Sequence, residues 1–299
     1  MTGFVDTHFH LWDIDRFRYP WLGDPGGEQF AFTYVLDDWL ADVGEVDLVA
    51  TVHVQAEMDH AVDPVVETAW LADIRAGQVG RATPTVCVGY TDLRAADVED
   101  VLDRHGEHEL FRGIRQELWY DPGSRRSDIL PHNLLDDPGW ARGLAHLVPR
   151  GLSFDLLAWP SQLGRATEIL RELPELVVVL EHVGLPASEP EGRRAWRQAI
   201  TRFAHEVPNA HLKISALSFF SPTWDVDEIR VLVKEALEIF GPERCMLGSN
   251  FPVDRPAVSY QRLWSDMERW TADLDPVEQQ QVRVENALRV YRIDPGDAE

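Results

Sequence analysis

The sequence is poor in cysteine, in positive charge and in long apolar runs, and each shortage narrows what the chain does. Two cysteines among 299 residues, Cys87 and Cys245, both fall within predicted strands. They are read as buried, reduced thiols of a cytosolic protein rather than a disulfide framework. Only 28 basic residues face 51 acidic ones, a formal charge of −23. Such a surface repels phosphate backbones and anionic lipid, so neither nucleic acid nor a membrane is expected as partner. No apolar run reaches transmembrane length, and Asp6 and His8 interrupt the N-terminus too early for a signal peptide, so the expected location is the cytoplasm. Internal repeats, low-complexity tracts and linkers are missing too, which leaves one domain over residues 1–299 as the expectation.

What the chain does have is alternation. Eight short apolar runs recur: "GFVDTH", "VDLVATVHVQ", "ATPTVCVGYT", "LFRGIRQEL", "GLSFDLL", "LVVVLEH", "AHLKISA" and "RCMLGSN". Segments of helical period lie between them, among them "DPVVETAWLADIRAG" and "VDEIRVLVKEALEIFG". In the latter, Ile229, Leu232, Val233, Ala236 and Leu237 form one apolar stripe. Helices are expected to stop at Gly106, before Pro174 and at Gly241. Strand–helix alternation repeated eight times predicts an α/β fold, a (β/α)8 TIM barrel, with an open doubly wound sheet as the alternative. The stretch from Trp12 to Val43 exceeds an ordinary strand-to-helix connection and is expected to form a long loop over the barrel mouth.

A (β/α)8 barrel gathers its chemistry at the C-terminal ends of its strands. The runs end with His8 and His10, His53 and Gln55, Arg115 and Glu117, Asp155, His182, Lys213 and Ser215, and Asn250. Residues two apart on a strand share a face, so His8 and His10 project together. His53 or His182 taken singly reads first as a hydrogen-bonded core histidine. Arg115 and Lys213 are either substrate anchors or a buried charge network with Asp155 or Glu117. By the same parity Glu181 faces away from His182 and reads as structural, while His60, His105 and His211 read as surface residues. Trp12, Trp119, Trp159 and Trp224 follow predicted strands, where mouth loops begin. With Arg115 and Lys213 they suggest a partly apolar, ring-shaped small-molecule substrate bearing an acidic or carbonyl group. A homo-oligomer is left open.

Five segments, "VDTHFHLWD", "FRGIRQ", "LEHVGLP", "LKISAL" and "GSNFPVD", lie in order at barrel spacing. Together they resemble the amidohydrolase superfamily, and within it the lactonase group that includes fuconolactonase-like and pyrone-dicarboxylate-lactonase-like enzymes. The resemblance implies a barrel in which water opens a cyclic ester or amide. It places His8, His10 and His182 in the reactive cluster, with either a single divalent metal on them, zinc by preference, or none. It makes Arg115 a substrate contact, and Gln55, Trp159 and Lys213 join it as candidates from their own places at the strand ends. The group usually carries an aspartate where this chain has Asn250, and an amide takes no proton as a carboxylate does. Asp254, four residues on, or one of the histidines is then expected to serve as base. Two other functions compete with the hydrolase: nonoxidative decarboxylation of an aromatic acid, and a silent ligand-binding barrel.

Overall fold

The computed structural model describes residues 3–77, 80, 82–118, 120 and 132–294. Its strands are β1 (Phe4–Phe9), β2 (Leu48–Val54), β3 (Val86–Gly89), β4 (Phe111–Arg115), β5 (Ser153–Leu156), β6 (Val178–Leu180), β7 (Ala210–Ile214) and β8 (Cys245–Leu247). Each pairs in parallel with the next, in chain order. Beyond β8 the chain returns to β1. The His10 amide donates to the Phe251 carbonyl at 2.8 Å and the Asn250 amide to the His8 carbonyl at 2.7 Å. That closure gives a (β/α)8 barrel and excludes the open sheet.

The helices are α1 (Leu36–Val43), α2 (Val65–Gly77), α3 (Val98–Gly106), α4 (Pro138–Leu144), α5 (Pro160–Leu170), α6 (Pro190–Glu206), the single turn α7 (Leu217–Phe220), α8 (Val226–Phe240), α9 (Tyr260–Trp270), α10 (Pro276–Gln280) and α11 (Asn286–Val290). All five stripe residues of α8 are buried. Strand β2, "LVATVHV", is buried at every position, as a parallel strand covered on both faces must be. Val52, Val86, Val179 and Met246 belong to an apolar cluster that continues into Val284, Ala287 and Tyr291 of the C-terminal segment. Both cysteines are buried and free. Among the described residues no helix is long and apolar enough to cross a membrane.

The segment from Trp12 to Val43 reaches the mouth as expected over residues 12–35, but its last eight residues are helix α1 and not loop. Trp12 and Tyr34 bridge its two arms, each backbone amide donating to the other's carbonyl at 2.9 and 2.8 Å, and Trp21 and Phe30 hang over the strand ends.

Candidate active site

The strand ends enclose a cavity of about 100 Å³ whose lining includes His10, His182, Arg115, Asn250, Glu57 and Glu117, roofed by Trp12 and Trp21. It shares Trp21, Phe219 and Val253 with an outer chamber of about 1030 Å³, mostly apolar, which Phe30 and Trp159 also wall. Trp159 therefore stands at the chamber rim, 37% exposed, and not against the inner cavity.

His8 and His10 face one another as strand parity demands, with Nε2 to Nε2 at 3.2 Å. His10 Nδ1 lies 2.7 Å from the Val54 carbonyl, which only accepts, so Nδ1 carries the proton and Nε2 a lone pair. His8 Nδ1 lies 3.0 Å from Glu181 Oε1, close but off-line for a hydrogen bond. Neither neutral tautomer of His8 suits both contacts. A proton on Nδ1 sets two Nε2 lone pairs against each other, and a proton on Nε2 sets a lone pair against the carboxylate. One added positive charge removes the conflict.

Glu181 is the central acid of the site, in contrast to its expected outward, structural placement. Strand β6 ends at Leu180, and Glu181, two residues after the interior Val179, keeps the interior parity. The backbone then turns left-handed at His182 (φ 56°) and Val183 (φ 53°). That turn swings the imidazole back to the mouth, so consecutive residues both serve one cavity. His182 Nδ1 meets Ser215 Oγ at 2.9 Å, and its ring lies 4.6 Å from that of His8.

Below these rings is a buried charge network. Arg115 donates from Nη1 to Glu181 Oε2 at 3.2 Å and from Nη2 to the Gln55 carbonyl at 2.5 Å. Lys213 Nζ lies 2.6 Å from Asp155 Oδ2 and 3.6 Å from Glu181 Oε1, and the Tyr291 hydroxyl donates to the same Asp155 oxygen at 2.7 Å. Lys213 is wholly buried and does not line the cavity, which places it in the floor. Gln55 also stands behind the wall, its side chain bonded to Glu57. Burial alone would raise the Glu181 pKa, but the charges of His8, Arg115 and Lys213 outweigh it and hold the acid well below its usual range.

Asn250 lines the cavity and Asp254 does not. Asn250 Nδ2 donates to Asp254 Oδ1 at 2.9 Å, the oxygen that also accepts from Ser218 Oγ at 2.8 Å. Desolvation lifts Asp254 to about 6 against these bonds. So placed, Asp254 orients the Asn250 amide from behind instead of swinging into the mouth.

The other expectations divide. His53 is a core histidine, its Nε2 accepting from the Leu11 amide at 2.9 Å. His105 and His211 are buried rather than at the surface; His105 meets Thr68 Oγ1 at 2.9 Å and the Tyr90 carbonyl at 3.0 Å. Trp224 is bonded to Asp266 Oδ2 at 3.0 Å, away from the mouth, and Trp119 lies outside the described residues. Glu57, which sequence reasoning missed, lines the cavity from a left-handed backbone position.

Among the described residues, the histidine and carboxylate groups that converge closely enough to share one ion are His8, Glu181 and His182, with ligand atoms within 4.8 Å of one another. Nitrogen and carboxylate donors beside a conflicting lone pair suit a zinc-like ion, and His10 Nε2 adjoins the set. The residues fit such an ion.

Burial lowers the pKa of His8 and His10 well below the ordinary value, that of His182 to about 4 and that of His53 to about 3. His105 and His211 are lowered to about 4. Unfolded, these groups bind protons near pH 6.5, so between there and about pH 4 the unfolded state holds more protons and stability is lost as the pH is lowered. Raised carboxyls act oppositely, Asp6 and Asp254 at about 6 and Glu67 at about 7, but the histidines outnumber them. The melting temperature is therefore expected to drop on going from about pH 7 to about pH 4.5. A flat or rising profile in differential scanning calorimetry would show that the folded protein protonates its histidines.

The Amidohydrolase family model matches residues 5–293. The uncharacterized protein y4mH of Sinorhizobium fredii is 35% identical over 97% of this chain and 98% of its own length. An L-fucono-1,5-lactonase of Burkholderia multivorans is 29% identical, with 98% of both chains covered. A crystal structure of a Burkholderia multivorans amidohydrolase with bound zinc superposes with a TM-score of 0.81 at 29% identity, covering 98% of this chain and 100% of that one. With the barrel, the strand-one histidine pair and this full-length match, the chain belongs to the amidohydrolase family and is an enzyme of that superfamily.

Proposed function

We propose that the enzyme hydrolyses a lactone, a ring ester of a small, uncharged, hydroxylated compound. The observation that carries this is the convergence of His10, His182, Arg115 and Asn250 on one cavity of about 100 Å³ at the strand ends. Glu57 and Glu117 in the same wall disfavour a carboxylated ring by like charge and accept hydrogen bonds from hydroxyl groups. The relatives named as L-fucono-1,5-lactonases support the same class. Substituents of the ring find room in the apolar outer chamber.

A zinc-like ion held by His8, Glu181 and His182 would polarise the ester carbonyl and make a bound water more acidic. The chain's own groups do the rest. Arg115, fixed by Glu181 and the Gln55 carbonyl, offers its fork to the carbonyl oxygen. Asn250, its Nδ2 tied to Asp254, leaves Oδ1 to accept a hydrogen bond from the attacking water. Trp12 and Trp21 cover the site and limit bulk water.

The test is a panel of neutral sugar 1,5- and 1,4-lactones followed by proton release in weak buffer, beside aromatic carboxylic acids followed by carbon dioxide release. Proton release from lactones alone is the expected result. Carbon dioxide release, or no turnover of any lactone, overturns the assignment.

A further inference from the structure

Lactone opening at neutral pH turns ester and water into alcohol, carboxylate and one proton, so a proton must leave the cavity at every turnover. Asn250 cannot accept it, and Asp254 is held behind Asn250. Glu57, however, lines both the inner cavity and a separate side chamber of about 320 Å³ walled by the loops after β2, β3 and β4. Its backbone is left-handed (φ 56°), a conformation that a glutamate adopts only when its surroundings impose it. Gln55 imposes it here, accepting from the Glu57 amide at 2.6 Å and donating Nε2 to Glu57 Oε1. The other oxygen, Oε2, lies 3.2 Å from His60 Nε2. The His60 ring stacks on Tyr90 at 4.0 Å with 7° between planes, and its side chain is 31% exposed against 8% for Glu57. Cavity, carboxylate, imidazole and solvent thus lie in sequence.

We propose that Glu57 is the proton acceptor of the reaction and His60 the group that carries the proton out, a carboxylate from strand two doing the work that Asn250 cannot do from strand eight. This rests on the hydrolysis proposed above. As the water oxygen bonds to the ester carbon, its proton passes to a Glu57 oxygen. When the ring C–O bond breaks, the leaving oxygen takes a proton back to become the alcohol. The proton lost by the product acid passes through Glu57 to Nε2 of a His60 whose own proton is on Nδ1, the imidazolium releases that Nδ1 proton to solvent, and proton exchange with water at the two ring nitrogens restores the starting tautomer. The groups facing His60 suit that task. Burial would lower its pKa, but the bond and charge of Glu57, with Glu117 and Asp59, raise it overall, while Tyr90 presents only its ring face. Arg18 is engaged with Asp59, and Arg94 with Asp92 across the chamber.

Glu57→Gln and His60→Phe, the latter keeping a ring over Tyr90, test the pair. Glu57→Gln is expected to lower kcat about 10²–10⁴-fold. His60→Phe is expected to lower kcat in weak buffer with KM unchanged, and added imidazole to restore it. In resting protein, NMR titration of His60 is expected to move to lower pH in Glu57→Gln. Wild-type turnover by Glu57→Gln, a His60→Phe defect that imidazole does not relieve, or an unmoved His60 titration overturns the relay. Failure of the wild-type protein on every lactone overturns the hydrolysis itself, which separates the two results.

Discussion

Replacement of His182 by asparagine is expected to lower kcat for lactone hydrolysis about 10²–10⁴-fold while leaving the protein folded. Asparagine is chosen because the residue sits at φ 56°, where Asn, Asp and His are tolerated better than other non-glycine residues. An alanine variant would confound lost chemistry with backbone strain. The shorter amide cannot span from Ser215 to the cavity as the imidazole does, with Nδ1 2.9 Å from Ser215 Oγ and the ring 4.6 Å from His8. Burial keeps this imidazole neutral at pH 7, and in the tautomer whose Nδ1–H donates to Ser215 Oγ its second nitrogen offers a lone pair to a cation or water in the cavity. Steady-state kinetics beside a thermal melt decides the matter. Retained kcat with a native melt would remove His182 from the reaction.

Much of the fold was legible because the signals that carry it are local. Each strand is a short apolar run of parallel-sheet character, and the α8 stripe is buried residue for residue as its period requires. The His8–His10 pair was legible for the same reason: both lie at the end of β1, where alternation carries through to His10 despite an irregular register with β2. Parity failed at the residues whose backbones leave the extended region. Counting backwards from His182 turned Glu181 outward, whereas counting forwards from Val179 keeps it inside, and the left-handed turn at His182 reconciles the two. A second signal for Glu181 lay in the charges. Arg115 and Lys213 at interior positions bring two cations against Asp155, and a buried excess of charge calls for another carboxylate nearby. Glu57 had no such signal, because its place depends on Gln55 holding a left-handed residue just beyond β2. Asp254 stands back from the cavity for a related reason. Four residues of turn bring its carboxylate behind the Asn250 amide, and sequence spacing alone does not say which of the two faces the mouth.

The floor network makes the second large prediction. Lys213→Met is expected to destabilise the protein by about 3–5 kcal/mol, because removing one partner of a buried ion pair leaves the other charge uncompensated. Here Asp155 and Glu181, both fully buried, would lose Nζ, at 2.6 and 3.6 Å. Asp155 would keep the Tyr291 hydroxyl and protonate, whereas Glu181, still between His8 and Arg115, would lose part of the charge that keeps it ionised. Activity should fall as well, since the Glu181 contact orients His8. In urea unfolding the midpoint should drop at unchanged slope, the mark of a stability change without a change in exposed surface. The double variant Lys213→Met, Asp155→Leu removes both charges of the shorter pair and should recover much of the lost stability, as apolar replacements of whole buried pairs do. Recovery of stability without activity would show that the floor charges are kept for the electrostatics of Glu181 and not for the fold. A loss below about 1 kcal/mol in the single variant would mean that the lysine is not the counter-charge on which these carboxylates depend.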